Sequence, residues 1–306
     1  MKLEGIHHIT AITGDAPGNV NFYAGTLGLR LVKKSVNQDD PTIYHLFYAD
    51  EKGSAGSDIT FFEYPGAPKG QAGAGMVHRI IWRVSSEEAI DFWDERLQGQ
   101  GVKTQRGAGV LNFSDPEGLD LELRVVDTSD EPLIADHPEI PRELALQGFD
   151  GVRAYTDDPS RSAPLLGDTL NFEPTSDSEY TVRGSKRGSF YVYDEAPKER
   201  GRQAAGTVHH VAFASPMDEH EKWREAVASV LPPRAVTPII DRFYFRSIYF
   251  REPSGVLFEI ATIGPGFAVD EPADHLGEKL SLPPDYQHLR DQLEKVLTPL
   301  PDPRAA

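Results

Sequence analysis

Apolar positions along this chain switch between two periods, and the switch repeats four times. Residues 4 to 64 open on a β-branched run, Ile6-His7-His8-Ile9-Thr10, and pass through Asp15-Ala16-Pro17 into a stretch carrying Val20, Phe22, Tyr23 and Leu27 at helical spacing before Gly28. Proline inside the start and glycine past the end mark a helix. Three short runs rich in β-branched and aromatic residues follow, Leu29 to Val36, Ile43 to Tyr48 and Asp58 to Tyr64, separated by turn residues. The predicted order is β-α-β-β-β.

Residues 76 to 126 repeat it, with a strand Val77 to Val84, a helix from Ser86 through Phe92, Trp93 and Leu97, and strands near Val102, at Val110 to Phe113 and at Leu119 to Val126. A third copy runs from Gly148 to Asp194, with a strand at Val152 to Tyr155, a helix containing Leu165 and Leu166, and strands near Tyr180 and at Phe190 to Tyr193. The fourth opens at Val208, continues through a helix from Met217 past Trp223 to Val230, and closes with strands at Ile239 to Phe250 and Val256 to Thr262. The turn Asp115-Pro116-Glu117-Gly118 and the run Leu119-Asp120-Leu121-Glu122 recur as Glu252-Pro253-Ser254-Gly255 and Val256-Leu257-Phe258-Glu259 at one constant offset, which identifies a true internal repeat. Residues 127 to 146, rich in Pro, Asp and Glu and without either period, predict a linker between an N-terminal domain (1–126) and a C-terminal domain (147–306) of two modules each. After Leu282-Pro283-Pro284, Leu289, Leu293 and Val296 predict an amphipathic helical arm.

Composition narrows what such a chain can do. At 306 residues with 39% hydrophobic content it can bury one large core or two ordinary ones. A net charge of −17, spread along the chain, argues against nucleic acid and an anionic membrane surface as partners. No run approaches the roughly 20 apolar residues of a membrane span, and Met1-Lys2-Leu3-Glu4-Gly5 leads directly into a strand, so a cytoplasmic protein is expected. The chain has no cysteine, which leaves only nitrogen and oxygen donors for any metal.

The differences between modules locate the chemistry. Side chains alternate along a strand, so one histidine of each His-His pair faces inward. At that position the four modules offer His8, Arg79, a residue near Asp150 or Gly151, and His210; on the last strand they offer Glu63, Glu122, no clear acid, and Glu259. Glu122 belongs to a module whose histidine has become an arginine and reads as a partner of Arg79 or a solvated charge. His8, His210 and Glu259 remain, a two-histidine, one-carboxylate set that suits Fe(II) binding substrate and dioxygen together and that could also hold Mn(II) or Zn(II). A carboxylate on an apolar strand needs such a partner, because burying it alone is costly. The histidines at 45, 78, 137, 220, 275 and 288 lack this arrangement. Tyr249 lies on a hairpin beside the Glu259 strand, and Arg242 has its sequence neighbour Asp241 as an ordinary ion-pair partner.

Four β-α-β-β-β modules with His-His strands resemble the vicinal oxygen chelate superfamily. More closely, Gly5-Ile6-His7-His8-Ile9-Thr10, Phe22-Tyr23 with Leu27-Gly28-Leu29, Thr207-Val208-His209-His210-Val211-Ala212-Phe213, Gly255-Val256-Leu257-Phe258-Glu259 and the tail from Leu276-Gly277-Glu278 to Pro283-Pro284 resemble its ring-cleaving dioxygenases of the hydroquinone 1,2-dioxygenase type, over nearly the whole chain. The resemblance implies an α+β fold, the four modules forming two glyoxalase/dioxygenase-type domains with curved, barrel-like mixed sheets. It implies Fe(II), with Mn(II) in some members, on His8, His210 and Glu259. It also implies an aromatic diol and dioxygen as substrates, with Arg242 and Tyr249 on the substrate side, His209 close by and Thr10 behind the ligands. In the mechanism implied, Tyr249 or His209 moves a proton and Arg242 balances developing negative charge; a positioned proton transfer contributes roughly 10²–10⁴ in rate. Glu63, where a symmetric fourth ligand would sit, reads as a rim charge at the strand exit before Tyr64-Pro65-Gly66; as a ligand beside His8, His210 and Glu259 it keeps a glyoxalase-like isomerase or lyase with Zn(II) or Ni(II) as the first rival. A sequestering small-molecule-binding resistance protein is the second. The ring substituents and the oligomeric state, a homo-oligomer included, stay open.

Overall fold

The computed structural model describes residues 1–302, and the four-module order stands in it throughout. Module one comprises β1 (Ile6–Thr13), the helical stretch α1 (Ala16–Val20) with the π-helical turn Asn21–Thr26, β2 (Arg30–Asn37), β3 (Asp40–Ala49) and β4 (Asp58–Glu63). Module two comprises β5 (Met76–Val84), α2 (Glu87–Gly99), β6 (Thr104–Gly107), β7 (Val110–Ser114) and β8 (Asp120–Val125). In module three, β9 (Phe149–Thr156) precedes a π-helical turn (Pro164–Thr169) and β10 (Glu173–Pro174), β11 (Glu179–Arg183) and β12 (Gly188–Glu195). Module four holds β13 (Thr207–Ser215), α3 (His220–Val230), β14 (Ile240–Asp241), β15 (Arg246–Arg251) and β16 (Leu257–Thr262).

Local chemistry explains the helix starts. The Asp15 carboxylate accepts from the Gly18 N–H and the Ser86 hydroxyl from the Ala89 N–H, each satisfying an amide that the first helical turn leaves free. Tyr23, Trp93, Leu166 and Trp223, one from each module's helical stretch, are fully buried against the sheets. Burial of such apolar surface stabilises the fold by about 25 cal/mol per Å². One predicted strand is broken: residues 242–245 leave the sheet between β14 and β15, because Phe243 adopts a left-handed φ of 71°. The tail after Pro283 forms a 3₁₀ stretch, Pro284–Leu289, and a short helix α4 (Arg290–Val296), with Leu293 buried and Val296 exposed.

Among the described residues, sixteen strands form two curled, eight-stranded sheets. One runs β14-β15-β16-β13-β1-β4-β3-β2, joining modules four and one; the other runs β10-β11-β12-β9-β5-β8-β7-β6, joining modules three and two. Each sheet thus draws strands from both sides of the 127–146 segment. At each centre two first strands pair antiparallel, β1 with β13 and β5 with β9, while each first strand pairs parallel with its own module's last strand. This is what brings His8 and His210 together.

Candidate metal centre and cavity

The β1–β13 pairing is interrupted twice. Between the pairs Ile6↔Phe213 and His8↔Ala212 the strand β1 carries one extra residue, His7; between Thr10↔His210 and Ala11↔Val208 the strand β13 carries one extra residue, His209. Such bulges re-aim side chains. Here each turns an adjacent pair of imidazoles edge to face, with Nδ1 of His7 and His8 2.9 Å apart and Nδ1 of His209 and His210 2.8 Å apart.

The hydrogen-bond chain determines which nitrogen of His8 is free. His7 Nε2 lies 3.2 Å from the Thr262 carbonyl, which can only accept, so His7 donates there and offers Nδ1 as an acceptor. His8 must then donate from Nδ1, leaving the lone pair on Nε2. That atom lies 3.3 Å from His210 Nε2 and 3.2 Å from Glu259 Oε2, and His210 Nε2 is 2.9 Å from the same oxygen. All three side chains are buried, and they are the only histidine, cysteine, aspartate or glutamate group among the described residues whose ligand atoms converge this closely.

Glu259 is oriented by a 2.5 Å hydrogen bond from the Ser247 hydroxyl to Oε1. Its Oε2 is buried and receives no hydrogen bond of acceptable geometry despite the two nearby nitrogens. An unsatisfied buried carboxylate oxygen is costly, and a cation held jointly by this oxygen and two imidazole lone pairs removes the cost. The donor set therefore fits a divalent metal. Electrostatics agree: burial alone would raise the Glu259 pKa, but His8 and His210 hold it well below the usual carboxylate range. Burial drives His210 down, whereas at His8 the Glu259 charge overcomes burial and raises it.

Over these ligands opens a small cavity of about 40 Å³. Phe47, Phe62, Tyr244 and Phe245 provide aromatic walls, and His8, His210, Tyr249 and Arg242 face into the same space. Tyr249 is the cross-strand neighbour of Glu259, and its ring lies 5.7 Å from that of His210. Burial, then the Glu259 charge, pushes the Tyr249 phenol well above its ordinary value, so it stays protonated. Arg242 does not pair with Asp241, which instead accepts from the Phe243 N–H; its fork grips Asp39, 203 residues away, at 3.1 and 2.9 Å. His209 stands outside this cavity, on a separate groove with Gly75, Gln203, Arg251 and Gly255, and burial followed by His210 lowers it to about 3.

Register also separates Glu63 from the position of a symmetric fourth ligand. The pairings Thr10↔His210 and His8↔Ala212 relate the two modules by an approximate two-fold; since Ala212 pairs with Glu259 and Thr10 with Thr60, Thr60 is the symmetry counterpart of Glu259. Glu63 lies beside Thr13 instead and accepts from the Ala16 N–H at 3.3 Å, at the start of α1. Thr60 is bonded to the Thr10 hydroxyl at 2.8 Å and to His45 Nε2 at 2.9 Å. His45, which the sequence pattern sets aside, therefore lines the cavity; period-2 alternation along β3 from Phe47 was the available signal.

The second sheet keeps the bulges, at His78 and Asp150, but not the two histidine ligands. Arg79 takes the place of His8 and Gly151 that of His210. Glu122 accepts from Arg124 at 2.6 Å and lies 3.5 Å from Arg79, so it is an ion-pair partner there, as expected. His78 is bonded to Asp194 at 2.8 Å.

Two curled sheets of paired modules, one of them carrying a His-His-Glu cluster that fits a metal, define a glyoxalase-type fold. A model of the Glyoxalase/Bleomycin resistance protein/Dioxygenase superfamily matches residues 5–123. The chain is 41% identical to "Putative ring-cleaving dioxygenase MhqO" of Bacillus subtilis, covering 97% of each, and 30% identical to chlorohydroquinone/hydroquinone 1,2-dioxygenase of Sphingobium indicum, covering 97% of this chain and 96% of that one. A crystal structure of a "putative dioxygenase from Bacillus subtilis subsp. subtilis str. 168" superposes with a TM-score of 0.90 at 40% identity, covering 98% of both chains. Glyoxalase I from Zea mays shares the fold at a TM-score of 0.60 and 15% identity, over 84% of this chain and 92% of that one. The chain belongs to the Glyoxalase/Bleomycin resistance protein/Dioxygenase superfamily, among its ring-cleaving dioxygenases. Among the described residues no helix is long and apolar enough to cross a membrane.

Proposed function

We propose that this chain is an Fe(II)-dependent dioxygenase that inserts both atoms of dioxygen into the ring of a hydroquinone- or catechol-type diol and opens it. The observation that carries the reading is the convergence of His8, His210 and Glu259 at the base of an aromatic-walled cavity. Fe(II) on these ligands would supply open coordination positions and an electron path between the diol and dioxygen. The residues do the rest. Phe47, Phe62 and Phe245 hold a flat ring and exclude water, which strengthens every electrostatic contact at the base. Tyr249, kept protonated, donates a hydrogen bond or proton where charge develops on an oxygen. Arg242, fully charged, lies with its guanidinium carbon 5.5 Å from the Tyr249 ring centre and supports that charge. His209, outside the cavity, acts through His210 by bonding Nδ1 and leaving Nε2 for the metal.

Oxygen uptake by anaerobically iron-loaded protein, against a panel of hydroquinones and catechols, tests the reading. Expected is uptake of one dioxygen per diol consumed, with no diol lost under nitrogen. Diol turnover without dioxygen, or no uptake by iron-replete folded protein, would overturn it. Parallel loading with Mn(II) and Zn(II) tests the choice of metal.

A further inference from the structure

An ion pair lies at the edge of the cavity, and no reaction step uses its carboxylate, Asp39. Asp39 sits in the turn between β2 and β3, and Arg242 leads out of β14, so the pair joins the two modules that share the site. The turn is fixed from three sides. Asn37 accepts the Asp39 N–H at 2.9 Å, the Gln38 amide donates to the Arg242 carbonyl at 2.8 Å, and the Tyr286 hydroxyl donates to the Gln38 carbonyl at 2.7 Å.

Arg242 is the one arginine or lysine among the described residues lining the cavity, and Asp39 the one aspartate or glutamate. Both terminal nitrogens of Arg242 go to the two oxygens of Asp39, at 3.1 and 2.9 Å, while Nε lies 3.4 Å from the Tyr249 hydroxyl, long for a hydrogen bond. A guanidinium with its fork free is the residue of choice for capturing a carboxylate in a bidentate grip. Here that grip is already taken by the protein's own carboxylate. The Arg242 side chain is 17% exposed and the Asp39 side chain 73% exposed, so the cation is held inside the mouth and the anion faces anything that approaches.

We propose that Asp39 sets the charge selectivity of this cavity. It occupies the one guanidinium that the described residues place at the mouth and presents its own negative charge there, so an aromatic ring without a carboxylate is taken and one bearing a carboxylate is turned away. This inference rests on the reading of the cavity as an aromatic-diol site, and it makes Asp39 a specificity-determining residue by exclusion.

The test uses metal-loaded, anaerobic full-length protein and two rings that cannot be cleaved as diols, phenol and benzoate, with affinities measured by calorimetry. Wild type should bind phenol and bind benzoate at least about tenfold more weakly. Asp39→Asn keeps the shape and removes the charge; benzoate affinity should rise at least about tenfold, with phenol unchanged within about twofold. Asp39→Glu should restore exclusion of benzoate. Turnover of hydroquinone against 2,5-dihydroxybenzoate should shift in the same direction. Benzoate affinity unmoved by Asp39→Asn would overturn the inference, as would joint loss of phenol and benzoate binding, which would make Asp39 a structural bolt. Because the binding arm needs no turnover, absence of dioxygenase activity would sink the proposed reaction while leaving the selectivity result readable.

Discussion

His8 and His210 present their Nε2 atoms to each other at 3.3 Å although 202 residues separate them, and each is held from behind by the histidine that precedes it. The site is thus one object made by two distant copies of one motif, which makes its loss or survival on mutation sharply position-dependent.

Replacing His210 with alanine should abolish bound metal, whereas His78→Ala should leave metal content near one per chain. His78 is bonded to Asp194 and stacked on Tyr155 at 3.8 Å, so its loss should lower thermal stability without touching the site. Elemental analysis of purified proteins reads the first effect and a melting curve the second. Equal metal loss in both variants would count against the assignment of the site to the sheet of modules one and four.

Glu63→Gln should keep full metal content and activity, because Glu63 accepts from the Ala16 N–H and stands away from the ligands. A cost of about 1 kcal/mol in stability is expected, from weakening one hydrogen bond to a charged acceptor at the helix start. Metal loss as large as that of a Glu259→Gln variant measured in parallel would restore the four-ligand alternative.

His7→Ala removes the acceptor that fixes the His8 tautomer, with the fold held by the remaining strand pairing. Partners of this kind are worth roughly 10–100-fold in metal affinity. Competition with a chelator should show a weakening in that range; an unchanged affinity would mean that His8 needs no such support.

Tyr249→Phe keeps the ring against His210 and removes one hydroxyl. Metal content and folding should stay near wild type while kcat falls by ~10²–10³, the usual loss for one positioned donor where charge develops. Oxygen uptake within about twofold of wild type on metal-replete protein would remove Tyr249 from the chemistry.

Asp58 gives a prediction in pH. It is buried beside His8 in the β1–β4 ladder, neither carboxylate oxygen has a hydrogen-bond partner, and burial pushes it up to about 8. The folded state therefore keeps a proton that the unfolded chain releases above about pH 4. Folding is penalised increasingly from about pH 4 to about 8, and the penalty is absent at lower pH. Metal-free Asp58→Asn should be more stable than wild type at pH 8, by a margin that shrinks toward pH 4 with a slope of up to about 1.4 kcal/mol per pH unit. Denaturant unfolding at pH 5 and pH 8 measures it; a margin independent of pH would show that Asp58 ionises freely in the fold.

By itself the sequence determined the four modules, their β-α-β-β-β order and the three residues that converge, because hydrophobic period, turn residues and repeat offset are local signals that survive without a partner strand. It also marked the second module's site as lapsed, since Arg79 stands where His8 does. What it left to tertiary structure was everything set by pairing between strands far apart in the chain. Module one shares its sheet with module four, which no local pattern specifies. Two bulged residues, His7 and His209, shift the register, so Thr60 and not Glu63 becomes the counterpart of Glu259. A one-residue difference in register changes which face a side chain occupies, and sequence alternation cannot see a bulge. Arg242 had an adjacent aspartate at 241, yet the turn at Phe243 carried it across the cavity mouth to Asp39, a partner that only the closure of the sheet could provide.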